Sequence, residues 1–396
     1  MVSHISDAKG DLNKLKTKGL YRERIALSSA QASSITLRDQ NLLNFCSNDY
    51  LGLANNPRLK KAFIDAANRY GIGSGASPLV CGRSTLHAQL ESDLAEFTGR
   101  DKALVFSSGY LANLAIVSTF SSRTDTCVVQ DRLNHASMID GALLSRSRLR
   151  RYPHRDEKAL ERILIEEASK QTLVLTDSIF SMDGDMAPLT TISALCGEHD
   201  ALLVTDDAHG FGIYGDGGRG TLSLLDLDQS AAPLMMATLG KALGCAGAFV
   251  AGSASLIELL IQKARPYIYS TALAPALAGA ALESLKIVAE GEASRKHLHA
   301  LIVYFKEAAT SVGLNINRSD SPIQPLLLGC PETALKVSNL LLDKGFLVTA
   351  IRPPTVPQNT SRLRITLSAG HSFKDIDKLI DALTIIARNF PEMTQP

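Results

Sequence analysis

The chain alternates between short apolar runs and longer segments in which apolar residues recur every three to four positions. The runs Ala103–Phe106, Thr126–Gln130, Thr172–Thr176, Ala201–Thr205, Leu234–Thr238 and Ala246–Gly252 carry too few polar residues for a strand with one face in water. They predict strands buried on both faces, as parallel strands covered by helices are. Just before the first of them, Leu86, Leu90, Leu94 and Phe97 have helical spacing, with Gly99 just past the end. Strands separated by helical segments predict βαβ units and a mostly parallel central sheet.

The texture changes near residue 275. Two long helical segments cover roughly 275–312. Strands are expected at 323–328, 347–351 and 362–367, and helices at about 332–344 and 373–389. That is the pattern of a second, smaller α/β domain. At the other end, residues 1 to about 40 are polar and mildly basic (Lys14, Lys16, Lys18, Arg22, Arg24), which predicts a solvated helix, and Leu42–Phe45 reads as a short strand. The expected organisation is an N-terminal arm (1–45), a large domain (46–285) and a small C-terminal domain (286–396).

Composition narrows the function classes. With 396 residues and 45% hydrophobic content, there is enough material for more than one core. Net charge is +1, from 41 basic and 40 acidic residues, so a nucleic-acid binder's basic excess is missing. No apolar run has transmembrane length, and the N-terminus lacks the order of a signal peptide, so the expected location is the cytoplasm. The six cysteines are scattered without a Cys-x-x-Cys pair, so neither a disulfide framework nor a metal site is expected.

The chemistry lies where the runs end. In open α/β sheets, functional groups collect just past the carboxyl ends of strands. Asp206 ends one run, with His209 three residues on. Lys241 follows another, between glycines. His135 and Ser181 also come after runs. Taken singly, such a lysine is an ordinary solvated charge and such an aspartate a helix cap. An acid, an imidazole and a lysine together are what pyridoxal phosphate requires: a lysine for the Schiff base and an acid for the ring nitrogen. Ser107-Ser-Gly-Tyr110, between a strand and a helix, is the first choice for its phosphate, because free N–H groups at a helix start face one spot. Tyr70–Ser77 is a glycine-rich loop that is neither a phosphate-binding P-loop nor a dinucleotide fingerprint. Arg352, in the rigid Ile351–Pro357 loop, suits a carboxylate.

Ser-Asn-Asp-Tyr-Leu-Gly-Leu (47–53), Gly-Ser-Gly-Ala-Ser (73–77), Ser-Gly-Tyr-Leu-Ala-Asn (108–113), Asn-His-Ala-Ser (134–137), Phe-Ser-Met-Asp-Gly-Asp (180–185), Asp-Asp-Ala-His-Gly (206–210), Thr-Leu-Gly-Lys (238–241) and Ala-Ile-Arg-Pro-Pro-Thr-Val-Pro (350–357) occur in this order. The set resembles the α-oxoamine synthases, pyridoxal-phosphate enzymes of fold type I. The resemblance implies that Lys241 holds the cofactor, that Asp206 pairs with its ring nitrogen and that His135 stacks on the ring. It implies that Ser181 and His209 bond the phenolic oxygen and that Gly109, Tyr110 and Thr238 surround the phosphate. It further implies that Arg22, Asn48, Arg352 and Thr355 face substrate. The family's homodimer has its site at the interface, and Tyr269-Ser270-Thr271 resembles the segment that reaches the partner's phosphate. The implied reaction is a decarboxylative condensation of an amino acid with an acyl thioester. For the branch with the Pro-Pro loop these are L-alanine and a pimeloyl thioester of coenzyme A or acyl-carrier protein. Branches using glycine with acetyl-CoA, or other amino acids, stay open, as does a ligand-sensing module without turnover. A nicotinamide dehydrogenase lacks its glycine fingerprint.

Overall fold

The computed structural model describes residues 8–121, 125–168, 170–317 and 319–394. The first seven residues of the expected N-terminal arm lie outside this range. The chain divides into two compact units. One contains residues 51–181 and 185–296, the other residues up to 50, 182–184 and 297 onward.

The first unit is built on seven strands: β1 (Lys102–Phe106), β2 (Thr126–Asp131), β3 (Arg148–Tyr152), β4 (Gln171–Asp177), β5 (Leu202–Asp206), β6 (Leu234–Thr238) and β7 (Ala248–Gly252). Their order in the sheet is β1-β7-β6-β5-β4-β2-β3. All pairings among β6, β5, β4, β2 and β3 are parallel. β7 alone runs against its neighbours β1 and β6. Its reversal follows from connection length. Only residues 239–247 join β6 to β7, and a parallel crossover needs a dozen or more. Lys241 therefore sits in a hairpin loop at the carboxyl end of β6.

The apolar runs became strands because both faces are covered. Ala112, Ala115, Ile116 and Val117 of the helix Gly109–Phe120 pack with Val128, Leu173, Val204 and Met236 of the sheet, all buried. Each large side chain so buried contributes about 1.5–3 kcal/mol. That packing holds the strand ends, and the groups on them, in fixed places. The helix Thr85–Thr98 ends as expected, at Gly99 in a left-handed conformation (φ 64°).

β3 has no counterpart in the sequence expectations. Its sequence, Arg-Leu-Arg-Arg-Tyr, is polar because it is an edge strand, where charge is tolerated and discourages further pairing. Arg148 and Arg150 both pair with buried Glu167, at 2.9 Å each.

In the second unit, the helix Ala8–Thr17 buries no residue. The strand expected at Leu42–Phe45 is Gln40–Asn44, and it forms a hairpin with an unanticipated strand, Ser34–Leu37. Phe346–Leu347 adds to it in parallel. The other sheet has the order Ile323–Gly329, Ser361–Thr366, Thr349–Ile351 and is antiparallel. The expected single strand 347–351 is thus two strands in two sheets. Helices Pro331–Asp343 and Phe373–Ala387, and the helix Glu292–Ser311 from residue 297 on, also belong to the unit.

Candidate active site

β4, β5 and β6 end side by side, with Asp177 directly opposite Asp206 and Asp206 opposite Met236 in register. The turns beyond them enclose a cavity of about 180 Å³. Gly109, Tyr110, His135, Asp206, His209, Thr238 and Lys241 all line it. Seven residues spread over 133 positions of sequence (from 109 to 241) thus meet in one place.

Lys241 Nζ lies 2.8 Å from His209 Nε2, so the amine donates to the imidazole. Asp206 is buried, at 4% exposure. Its Oδ1 accepts from Ala208 N at 3.0 Å and its Oδ2 from Asn113 Nδ2 at 2.8 Å. A carboxylate with such donors is kept for an ionic partner, since an unpaired buried charge is costly. Asn113 also donates to Ser137 Oγ at 2.9 Å, and Ser137 Oγ lies 2.7 Å from His135 Nδ1. Ser137 N donates to the same Nδ1 at 3.3 Å. Nδ1 is therefore an acceptor, which assigns the His135 proton to Nε2. Burial, and secondarily the Lys241 charge, hold His135 below the usual imidazole pKa, although Asp206 and Asp140 pull the other way. The neutral ring is the form that can lie flat against another aromatic ring in a desolvated cavity.

Ser108 caps the helix Gly109–Phe120, accepting from Leu111 N at 3.3 Å. The N–H groups of Gly109 and Tyr110 open that helix beside the cavity and make an anion site. Thr238 Oγ1 donates to Gly247 O at 3.0 Å and accepts from Gly240 N at 3.1 Å, which braces the lysine loop. Tyr110 OH donates to Asp140.

Amine, buried carboxylate, neutral imidazole and anion-binding helix start thus line one cavity. They fit each chemically distinct part of pyridoxal phosphate: aldehyde, ring nitrogen, ring face and phosphate.

Residues 40–383 match the family described as Aminotransferase class I and II. The 8-amino-7-oxononanoate synthase of Methylococcus capsulatus is 50% identical over 377 residues, covering 95% of this chain and 97% of that protein. This chain belongs to the 8-amino-7-oxononanoate synthases of that family. Among solved structures, serine palmitoyltransferase from S. paucimobilis, with a bound PLP–myriocin aldimine, matches at a TM-score of 0.93 and 26% identity over 99% of both chains. The 8-amino-7-oxononanoate synthase of Francisella tularensis matches at 0.78 and 31% identity, over 88% of this chain and 98% of that one. The fold is that of the fold-type I transferases, and the chain is a pyridoxal-phosphate-dependent acyltransferase.

Not every residue expected for an oxononanoate synthase site lines the cavity. Ser181 follows β4 but is not among the lining residues, and neither are Ser270 and Thr271. Ser270 follows the short helix Arg265–Tyr269 and is half-buried, with Thr271 exposed. In the second unit, Arg22, Arg352 and Thr355 share a separate cavity of about 220 Å³. There Arg22 Nη2 donates to Thr355 Oγ1 at 3.2 Å, while Arg352 donates to Gly19 O and, at 3.3 Å, to Tyr21 O. Asn48 stands apart from them, accepting from Arg364 Nη1 at 3.1 Å.

Three residues that sequence reasoning left without a role are prominent. Asn113 links Asp206 to Ser137. Asp177 lines the cavity and accepts from His135 N at 2.7 Å. Burial, then the neighbouring Asp206, raise its pKa well above the carboxylate range. Asp207 accepts from Ser178 Oγ, Thr221 Oγ1 and Thr221 N, clamping the turn from Asp206 to His209. Burial pushes its pKa up to about 6 against those bonds. Asn113 and Asp207 stood within quoted motifs, but nothing in their spacing distinguishes a donor to Asp206 from an ordinary polar residue.

Proposed function

We propose that this chain condenses L-alanine with a pimeloyl thioester to give 8-amino-7-oxononanoate, carbon dioxide and the free carrier thiol, in biotin biosynthesis. The observation that carries the reaction class is the convergence of Lys241, His209, Asp206 and His135 on one cavity. The choice of alanine and pimeloyl rests on half-identity with relatives of that name over nearly the whole chain.

When bound, pyridoxal phosphate supplies an electron sink for the carbanion at the amino acid's Cα. Lys241 holds the cofactor in the resting enzyme. Its free amine would remove the Cα proton as general base, with His209 beside it to accept a hydrogen bond. Asp206 would keep the ring nitrogen's proton in place, with Asn113 orienting Asp206. His135 would lie against the ring as a neutral imidazole with its proton on Nε2. Ser181 and His209 would bond the phenolic oxygen. Gly109 and Tyr110 would hold the phosphate by backbone N–H groups, with Thr238 beside it, and Ser270 and Thr271 would serve the phosphate of the partner in a homodimer. Arg22, Asn48, Arg352 and Thr355 meet substrate carboxylates and the acyl chain. The new bond joins Cα to the thioester carbonyl carbon as the thiolate leaves. The carboxyl group of the resulting β-keto acid departs as carbon dioxide, and Lys241 returns a proton to Cα.

No helix of the described residues is long and apolar enough to cross a membrane. We place the enzyme in the cytoplasm, with pimeloyl-CoA or pimeloyl-[acyl-carrier protein] as donor. The test is release of carbon dioxide and free thiol by the purified protein. Equal amounts with pimeloyl-CoA and alanine, and none with glycine and acetyl-CoA, are expected. The reverse preference would move the chain to another branch of the family.

A further inference from the structure

His154 lies outside the cavity and has no part in the reaction as derived above. Its ring nevertheless meets two carboxylates at once. Nδ1 is 3.1 and 3.2 Å from the two oxygens of Asp131, and Nε2 is 2.8 Å from Asp185 Oδ2. A neutral imidazole has a single N–H, so one of these contacts would set lone pair against lone pair. Both carboxyl groups have further donors. Asp131, 1% exposed, accepts from Leu133 N and Arg155 N at 2.8 Å each. Asp185 accepts from Arg155 Nη1 at 3.1 Å. Ionised carboxylates and a doubly protonated ring satisfy every one of these contacts. Burial alone would lower the imidazole's pKa, but the bonds and charges of Asp131 and Asp185 outweigh it and lift it to about 9. The ring also stands perpendicular to Phe180, 4.4 Å between centroids.

The two carboxylates belong to the two segments that carry His135 and Ser181. Asp131 ends β2 and starts the loop to His135, turning it through Leu133 N. Asp185 closes the turn that begins at Phe180, whose N–H donates to Asp185 O at 3.0 Å. Ser181 lies in that turn. We propose that His154, as an imidazolium clasped between Asp131 and Asp185, is a positioning residue that fixes the His135 loop and the Ser181 turn together. This rests on His135 and Ser181 having the roles given above.

The clasp explains why a charged triad is built a few residues from the cavity. An exposed pair adds little, whereas one cation bridging a buried and a half-buried carboxylate restrains two segments through a rigid ring. Misplacement of a catalytic group by about 1 Å can cost two orders of magnitude in rate.

The experiment compares the holoenzyme with His154→Gln and with Arg155→Ala, which removes only the exposed arm on Asp185. Three quantities are read: kcat and KM for alanine, the visible circular dichroism of the bound cofactor, and amide exchange over residues 131–137 and 178–187. For His154→Gln we expect kcat down about ten- to a hundredfold with KM for alanine little changed, a weakened cofactor dichroism, and faster exchange in both segments. Arg155→Ala should leave all three near the parent values. If His154→Gln merely lowers the melting temperature while kcat, dichroism and exchange stay at parent values, the clasp is structural only and the proposal is wrong. The same holds if exchange rises in one segment alone. Should the parent fail to turn over pimeloyl-CoA with alanine, the reading of its substrates fails, and dichroism and exchange still judge the clasp.

Discussion

Asn113→Ala is the substitution that most directly separates catalysis from stability in this protein. The side chain is 2% exposed and its amide donates to Asp206 at 2.8 Å and to Ser137 at 2.9 Å. A hydrogen bond to a charged group is worth about 1.5–3 kcal/mol. Losing it removes that much of the hold on the Asp206 side chain, a factor of about ten to a hundred at 1.4 kcal/mol per decade. Ser137 loses its donor as well, so the orientation of His135 slackens with it. Stability changes less. Asn113 lies inside the helix Gly109–Phe120, where alanine is the better helix former by about 0.5 kcal/mol. That gain offsets part of the loss, and the melting temperature should move by no more than about 4 °C. The assay is steady-state turnover of alanine and pimeloyl-CoA at saturating cofactor, beside a cofactor titration followed by absorbance. We expect kcat down about ten- to a hundredfold and weaker cofactor binding. Asn113→Asp, which sets a second carboxylate against Asp206, should lose more. A kcat within twofold of the parent for Asn113→Ala would refute the dependence of Asp206 on this donor.

Lys241→Ala should abolish turnover and the absorbance of the lysine–cofactor Schiff base while circular dichroism in the far ultraviolet stays that of the parent; retained activity would contradict the assignment of the base. The His154 pair makes stability depend on pH with a definite sign. Its imidazole is raised in the fold to about 9 from an ordinary 6.5, so the stabilisation is fully present below pH 6.5 and is lost as pH rises through 9. Melting temperatures of the parent and His154→Gln, compared between these limits, should converge toward the alkaline end; a constant gap would exclude an ionic origin. Gly244→Ala should destabilise the lysine loop and weaken cofactor binding. The backbone there has φ 64°, and a Cβ would stand 2.4 Å from Ala54 N and 2.5 Å from Leu53 C. Gly217→Ala, at φ 60° with nothing within 4 Å, is its control and should cost only the 1–2 kcal/mol, roughly, of the left-handed conformation; equal melting temperatures for the two variants would show that the clash is relieved without loss.

Much of the large unit was legible along the chain, and the reason is local. Strands buried on both faces must be apolar throughout, so β1, β2 and β4 to β7 announce themselves. Asp206, His209 and Lys241 could be singled out because charged residues at the ends of such runs are conspicuous. β3 escaped because an edge strand is stabilised by its neighbour and by Glu167, neither of which shows in Arg-Leu-Arg-Arg-Tyr. The direction of β7 was implicit in a nine-residue connection, 239–247, but the paired strands are what reveal it. The splitting of 347–351 between two sheets had no local signal, since partner choice is a property of both partners.

The sequence by itself determined the alternating pattern, the buried strands and the residue types that pyridoxal phosphate chemistry requires, because burial and period are read from neighbours a few positions apart. Tertiary structure alone decided which of those residues meet. It brought Asn113 under Asp206, set Asp177 beside it in register, and joined Asp131 to Asp185 through His154. Hydrogen-bond partners tens of residues apart are chosen by how strands stack and loops close, and no window along the chain contains both ends of such a contact.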